Sequence, residues 1–144
     1  MNILVTGSLG FVGSHLAKRY HYQGHNVVGI DNGVGGYDDN LTEVQTYKID
    51  CCDQSNLDNL FAKNNFDLVI HAACTAYEGL SVVSPVFVTR NTYDATVNVL
   101  TAAIKNNVKK FVYMSSMARY GNQSAPFTED MTPAPEDPYG IAKY

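Results

Sequence analysis

Short apolar runs of strand length alternate with longer stretches of helical periodicity along the whole chain. Of all features of the sequence, this alternation restricts the possible folds most strongly. The runs NILVT, VVGID and KFVYMS are almost continuously apolar, which is typical of parallel strands buried on both faces. Parallel strands joined by helical crossovers of right-handed sense form a doubly wound sheet. The sequence therefore predicts one α/β domain, with a doubly wound parallel sheet in the order 3-2-1-4-5.

The element boundaries follow from apolar periodicity and from helix-stop residues. Gly24 is placed to end the first helix, and Ser55 is the predicted N-cap of the second. The segment 123–138 contains four of the five prolines and is predicted to be loop. A last helix begins near Tyr139. The predicted strands are 2–6, 27–31, 44–49, 67–73 and 110–115, and the other predicted helices are 11–23, 56–65 and 85–107.

Three glycines, Gly7, Gly10 and Gly13, lie between the first predicted strand and the first predicted helix. Glycine permits a sharp turn and lets phosphate oxygens approach the backbone, while the helix N-terminus offers unpaired N–H groups to an anion. The same spacing occurs in ordinary turns. Its strand–turn–helix context nevertheless predicts a site for the pyrophosphate of a dinucleotide.

Asp31 ends the second predicted strand, 18 residues after Gly13. A carboxylate at this point accepts hydrogen bonds from the adenosine ribose and repels a 2′-phosphate. No Arg or Lys follows closely in the sequence. The pattern therefore predicts NAD as the cofactor in preference to NADP.

Tyr139 and Lys143 are spaced i and i+4, which places a phenol and an ammonium on one helix face. A nearby cation favours the phenolate, so we expect Lys143 to lower the pKa of Tyr139 for proton transfer. Ser115 and Ser116 end the fifth strand and open toward the same crevice. Alternatively, Tyr139 and Lys143 form an ordinary surface contact. Either serine could likewise serve only to hydrogen-bond the loop backbone.

Composition excludes several classes of function. The net charge is −4 without a basic cluster, which argues against a nucleic-acid partner. No apolar run approaches a membrane span, and the N-terminus lacks the features of a signal peptide, so we expect a cytoplasmic protein. Three cysteines, Cys51, Cys52 and Cys74, form neither a disulfide framework nor a metal-ligand pattern, and no metal is expected.

Taken together, these motifs resemble the extended short-chain dehydrogenase/reductases, and in particular nucleotide-sugar epimerases of the UDP-glucose 4-epimerase type. The resemblance rests on TGSLGFVGSHL, DN at 31–32, ID at 49–50, VIHAA at 69–73, ATVNVLTAA, SSMARYG and PYGIAK. It implies a Rossmann-like NAD-binding domain over residues 1–144. Because family members are about twice as long, we expect a fragment that ends within the Tyr-x-x-x-Lys helix, lacks a substrate domain and is inactive by itself.

The resemblance also implies roles for single residues. Ser116, Tyr139 and Lys143 match the catalytic group, with Tyr139 as acid/base and Lys143 on the nicotinamide ribose. The implied cofactor residues, besides Tyr139 and Lys143, are Gly7, Gly10, Phe11, Val12, Asp31, Asn32, Asp50, Cys51, Ala72, Ala73 and Cys74. The implied substrate is a UDP-sugar, epimerised by transient hydride transfer to NAD, and the implied partner is a second copy of the chain.

Departures from the family pattern narrow this interpretation. Met117 and Ala118 replace an Asp-Glu pair found in sugar-nucleotide dehydratases, so dehydration is disfavoured. The family asparagine before the long helix falls on Thr92, with Asn91 beside it. Arg119 replaces a small or apolar residue. A related sugar-nucleotide reductase or decarboxylase, or a non-catalytic NAD-binding module, remains an alternative.

Overall fold

A computed structural model describes all residues 1–144. The five strands form one parallel sheet in the order β3-β2-β1-β4-β5, as the sequence predicts. The strands are β1 (Asn2–Thr6), β2 (Asn26–Asp31), β3 (Gln45–Lys48), β4 (Leu68–His71) and β5 (Lys110–Tyr113). The helices are α1 (Phe11–Tyr22), α2 (Gln54–Lys63), α3 (Glu78–Val83), α4 (Pro85–Thr89), α5 (Ala95–Lys105) and α6 (Pro138–Ala142).

Apolar residues from both faces of the central strands build two cores. Leu4 of β1 faces a core that includes Leu57 of α2 and Val99 of α5. Its neighbour Ile3 faces the opposite core, which includes Ala17 of α1. Because successive strand residues point to opposite faces, a continuously apolar strand fills both cores. The doubly wound architecture is therefore confirmed.

The structure corrects the predicted start of the second helix. Its N-cap is Asp53, not Ser55, and the Asp53 carboxylate accepts a 3.1 Å hydrogen bond from the backbone N–H of Asn56. A carboxylate at this position satisfies an otherwise unpaired first-turn donor and so fixes the helix start two residues earlier. Gly24 adopts a left-handed φ of 80° directly after α1, as its predicted role requires.

Helix α3 lies in a segment predicted to be loop. Its Ser81 side chain is fully buried and donates hydrogen bonds to the carbonyl of Glu78 at 2.6 Å and to the carboxylate of Asp137 at 3.0 Å. Six residues are too few for a stable isolated helix. The contact with distant Asp137 is a tertiary one that apolar periodicity does not report.

The long predicted helix 85–107 is present as one continuous helical run with a π-helical turn, Arg90–Asp94, between α4 and α5. The predicted loop 123–138 is irregular up to its last residue, since Pro138 already begins α6. Short 3-10 turns at Asp38–Asn40 and Met117–Tyr120 complete the chain. No helix has both the length and the apolar character needed to cross a membrane.

Candidate functional site

The glycine turn between β1 and α1 folds back closely on itself and on the end of β4. Gly7 has a φ of 65°, and a Cβ there would lie 2.7 Å from the backbone nitrogen of Ala73. A Cβ on Gly13 would overlap the carbonyl oxygen of Gly7. Both positions therefore exclude side chains, and backbone alone lines this part of the site.

Helix α1 begins at this turn without a side-chain cap. Its N-cap is Gly10, and no side chain caps the first-turn N–H groups. No acidic residue lies in the first turn either. Unpaired N–H groups and the positive end of the helix dipole together suit a phosphate group.

Asp31 lies at the end of β2 and is 6% exposed. Its Oδ2 accepts a 3.0 Å hydrogen bond from the Leu9 backbone N–H, and its Oδ1 accepts one of 2.7 Å from Gly33. A carboxylate has about four acceptor positions, so two backbone bonds leave capacity for a ligand hydroxyl. The aspartate thus orders the glycine turn and still faces the cleft.

A cleft of about 530 Å³ opens at the carboxyl ends of the strands. Its lining includes Leu80 of α3, Phe87 of α4 and Tyr77, the N-cap of α3, none of which the sequence patterns indicated. The eleven residues implied for the cofactor, apart from Tyr139 and Lys143, all line it: Gly7, Gly10, Phe11, Val12, Asp31, Asn32, Asp50, Cys51, Ala72, Ala73 and Cys74. Crevices at the strand ends of such sheets are the usual ligand sites of the fold.

Asp50 is anchored by Arg90, a residue that no sequence pattern singled out. The Arg90 guanidinium donates to its Oδ2 at 3.0 Å, and the Cys52 backbone N–H donates to its Oδ1 at 2.8 Å. Arg90 belongs to the π-helical turn, 40 residues further along the chain. A pairing at this separation leaves no local pattern in the sequence.

The π-helical turn places Asn91 and Thr92 in different surroundings. Asn91 lines the cleft, and its side chain donates to the carbonyl of Phe87 at 3.0 Å. Thr92 is fully buried, and its hydroxyl accepts a hydrogen bond from the Thr75 backbone N–H at 3.3 Å. Because a π turn inserts one residue into a helix, alignment by helical spacing alone misassigns the faces here.

Tyr139, Ser116 and Lys143 form a separate group beside the cleft. Cys74 lies between the two, since it lines the cleft and is close enough to act on Lys143: burial lowers the pKa of Lys143, and the Cys74 thiol acts in the opposite direction. Tyr139 is buried, and burial raises its pKa, while a hydrogen bond with Ser116 acts in the opposite direction. Ser115 instead donates a 2.7 Å hydrogen bond to the carbonyl of Lys143.

The pKa of Tyr139 is not lowered, although its spacing from Lys143 predicts that it should be. The Lys143 ammonium donates to the carbonyl oxygen of Met114 at 2.7 Å and lies 4.8 Å from the centre of the Tyr113 ring. It is therefore engaged with the end of β5. The pKa of Tyr139 is raised, chiefly by burial.

A fully buried histidine joins the glycine turn to the long helix. The Thr6 hydroxyl accepts the Ala73 backbone N–H at 3.1 Å and lies 2.8 Å from Nδ1 of His71. Nε2 of His71 lies 3.0 Å from the Thr96 hydroxyl, which donates to the carbonyl of Thr92 at 2.6 Å. Burial lowers the pKa of His71 to about 3, with a smaller effect from Lys143, so the ring is neutral.

No cluster of His, Cys, Asp or Glu is arranged to hold a metal ion.

Comparison with known proteins gives the same assignment over the whole chain. UDP-glucose 4-epimerase of Caenorhabditis elegans is 35% identical and is matched over 100% of this chain and 47% of its own length. UDP-glucose 4-epimerase of Halalkalibacterium halodurans is also 35% identical, over 99% of this chain and 43% of its own length. The chain thus spans less than half of these relatives.

Solved structures agree with the fold in detail. The crystal structure of Thermotoga maritima UDP-glucose 4-epimerase with UDP-glucose superposes with a TM-score of 0.95 at 34% identity, covering 100% of this chain and 48% of that one. The Thermus thermophilus UDP-glucose 4-epimerase complex with NAD has a TM-score of 0.95 at 30% identity, covering 99% and 47%. Residues 3–144 match the profile of the NAD-dependent epimerase/dehydratase family. This chain is therefore a member of the NAD-dependent epimerase/dehydratase family.

Proposed function

We propose that this chain binds NAD in the strand-end cleft and forms the cofactor-binding part of a nucleotide-sugar 4-epimerase. The observation that carries the proposal is the single cleft lined by all eleven residues expected there, among them Cys74, whose thiol acts on the pKa of Lys143. The glycine turn fits the group, because a Cβ at Gly7 or Gly13 would clash with backbone, so only backbone lines the turn beside the α1 N-terminus. The named relatives support the same cofactor and a UDP-sugar as substrate.

Each end of the cleft has its own role in this proposal. The first-turn N–H groups at Phe11 and Val12 would hold the pyrophosphate, and Asp31 the adenosine ribose. Asp50 and Cys51 would flank the adenine, with Arg90 holding the Asp50 carboxylate in place. Ala72, Ala73 and Cys74 would lie under the nicotinamide, where Lys143 holds the ribose.

Bound NAD supplies a reversible hydride acceptor. Tyr139 would take the proton from a sugar hydroxyl and later return it, with Ser116 hydrogen-bonded to the phenol. Because burial raises the pKa of Tyr139, the phenol is protonated at neutral pH in the chain alone. Met117 and Ala118 supply no carboxylates beside Ser116, so epimerisation is favoured over dehydration.

Calorimetric titration of NAD⁺ into the chain tests the binding step. We expect saturable NAD⁺ binding, weaker NADP⁺ binding, and loss of NAD⁺ affinity by at least about tenfold in Asp31→Arg, which removes two hydrogen-bond acceptors and adds a cation. A folded chain without NAD⁺ binding would contradict the proposal. UDP-sugar epimerisation by the complete gene product, with Tyr139→Phe as the variant, tests the chemistry.

The partner in this proposal is a second copy of the chain. Four apolar side chains recur every three to four residues along the solvent side of the long helix, and all are more than one-third exposed: Tyr93, Val97, Leu100 and Ile104. This spacing forms one stripe, of the kind that packs against another helix. Analytical ultracentrifugation of Leu100→Glu against the unmodified chain tests pairing through it, and two identical sedimentation profiles of a dimer would contradict it.

A further inference from the structure

Lys143 presents an unusual electrostatic situation, a buried ammonium without a carboxylate partner. It is 1% exposed, and the three ion pairs of the chain are formed by Lys18, Arg90 and Lys109. An isolated buried cation is costly, and burial lowers its pKa accordingly. Something other than an opposite charge must therefore stabilise the ammonium.

Tyr113 contacts both the ammonium and the backbone that carries it. Its ring centre lies 4.8 Å from Nζ of Lys143, within the distance of a cation–π interaction. Its hydroxyl donates a 2.8 Å hydrogen bond to the carbonyl of Ala142, the last residue of α6. One side chain thus fixes the charge and the preceding peptide at once.

The ring of Tyr113 also contacts a second ring. It stacks on His71, with ring centres 6.1 Å apart and planes inclined by 17°. His71 is fully buried and neutral, so it adds no charge to the stack. Tyr113 therefore has little freedom to move away from Lys143.

We propose that Tyr113 is a positioning residue for Lys143, whose ring face holds the ammonium and whose hydroxyl holds the end of α6 for the cofactor. This inference rests on the proposed function, in which Lys143 contacts the nicotinamide ribose. Helix α6 has five residues and depends on tertiary contacts for its position. The hydrogen bonds of Ser115 and Met114 to Lys143 supplement the two contacts of Tyr113.

The Lys143 charge state is the readout that a merely structural tyrosine would not change. The groups around the ammonium are the Met114 carbonyl, His71, Cys74 and the Tyr113 ring. Replacing residue 113 changes the ring contact and the hydrogen bond to Ala142, and Tyr113→Phe removes the hydrogen bond alone. The lysine side-chain NMR titration of Lys143, assigned with Lys143→Arg, measures this charge directly.

Three replacements of Tyr113 separate ring electrostatics from shape. Tyr113→Phe keeps the ring face, and we expect its Lys143 titration to match that of the unmodified chain. Tyr113→Leu removes the ring, and pentafluorophenylalanine at 113 keeps its shape but reverses the ring quadrupole. Both should lower the Lys143 midpoint by about one pH unit. Tyr20→Leu, which removes a half-buried ring elsewhere, should leave it unchanged.

NAD⁺ titrations of the same variants test the consequence for the cofactor. NAD⁺ affinity should fall with rising pH as Lys143 loses its proton. In the leucine and pentafluorophenylalanine variants this fall should occur at a lower pH. Tyr113→Phe should weaken NAD⁺ about threefold at all pH values, because α6 loses one hydrogen bond. Equal Lys143 midpoints in the phenylalanine and pentafluorophenylalanine variants would overturn the inference, whereas absent NAD⁺ binding with separated midpoints would overturn only the proposed function.

Discussion

The backbone N–H of Leu9 donates a 3.0 Å hydrogen bond to Oδ2 of Asp31, which joins the glycine turn to the end of β2. Gly33 donates to the other carboxylate oxygen at 2.7 Å. The aspartate therefore holds two loops on opposite sides of the proposed ribose site. A residue expected only to contact the cofactor also orders the turn that would bind its pyrophosphate.

Asp31→Asn should accordingly reduce both stability and NAD⁺ affinity. An amide has one oxygen for two N–H donors, so one buried donor stays unpaired and costs about 1–3 kcal/mol in the free energy of unfolding. NAD⁺ affinity should fall by about tenfold or more. Urea unfolding and calorimetry measure the two effects. Asp58→Asn, on an exposed face of α2, is the control, and equal behaviour of both variants would contradict the dual role.

Gly13→Ala should disrupt the turn. The added Cβ overlaps the carbonyl oxygen of Gly7, which is rigid backbone, so α1 must move away from β1. We expect a loss of about 1–3 kcal/mol or more in unfolding free energy, and no measurable NAD⁺ binding. Gly79→Ala is the matched control, because nothing lies within 4 Å of its Cβ. A well-folded Gly13→Ala chain with full NAD⁺ affinity would show that the turn is not the phosphate site.

Stability should fall as pH decreases below the ordinary histidine range because of His71. The folded-state pKa of about 3 lies below the ordinary histidine pKa of 6.5, so between these values the unfolded chain binds more protons. The free energy of unfolding should then decrease by up to about 1.4 kcal/mol per pH unit on acidification. Urea unfolding between pH 6.5 and 5 measures the slope before most carboxylates titrate. An unchanged slope in His71→Gln would contradict this assignment.

The three thiols should differ in reactivity and in protection by cofactor. Burial raises the pKa of Cys51 to about 12, so it should resist iodoacetamide in the folded chain. Cys52 and Cys74 are partly exposed, and only Cys74 of these two lines the cleft. NAD⁺ should therefore slow labelling of Cys74 and leave Cys52 unaffected, as measured by mass spectrometry of peptides. Equal protection of both would place the cofactor elsewhere.

Two features were readable from local patterns. The strand order came from apolar runs and the handedness of crossovers, because any parallel sheet must bury both faces. The phosphate turn and the place of Asp31 followed from glycine spacing directly after a strand, where backbone geometry allows few alternatives. The cleft lining includes Gly7, Gly10, Gly13 and Asp31, the residues that these patterns single out.

The electrostatics and anchoring of the site depended on contacts between distant parts of the chain. Helical spacing places Lys143 on the same face as Tyr139, yet the ammonium binds Met114 and the ring of Tyr113. The Arg90–Asp50 pair and the helix held by Ser81 and Asp137 are equally nonlocal. The sequence by itself determined the layers of the fold and the phosphate turn, since these depend on spacing between near neighbours. Only the tertiary structure decided which partner each charged side chain binds, since the partners that are close in space come from distant parts of the sequence.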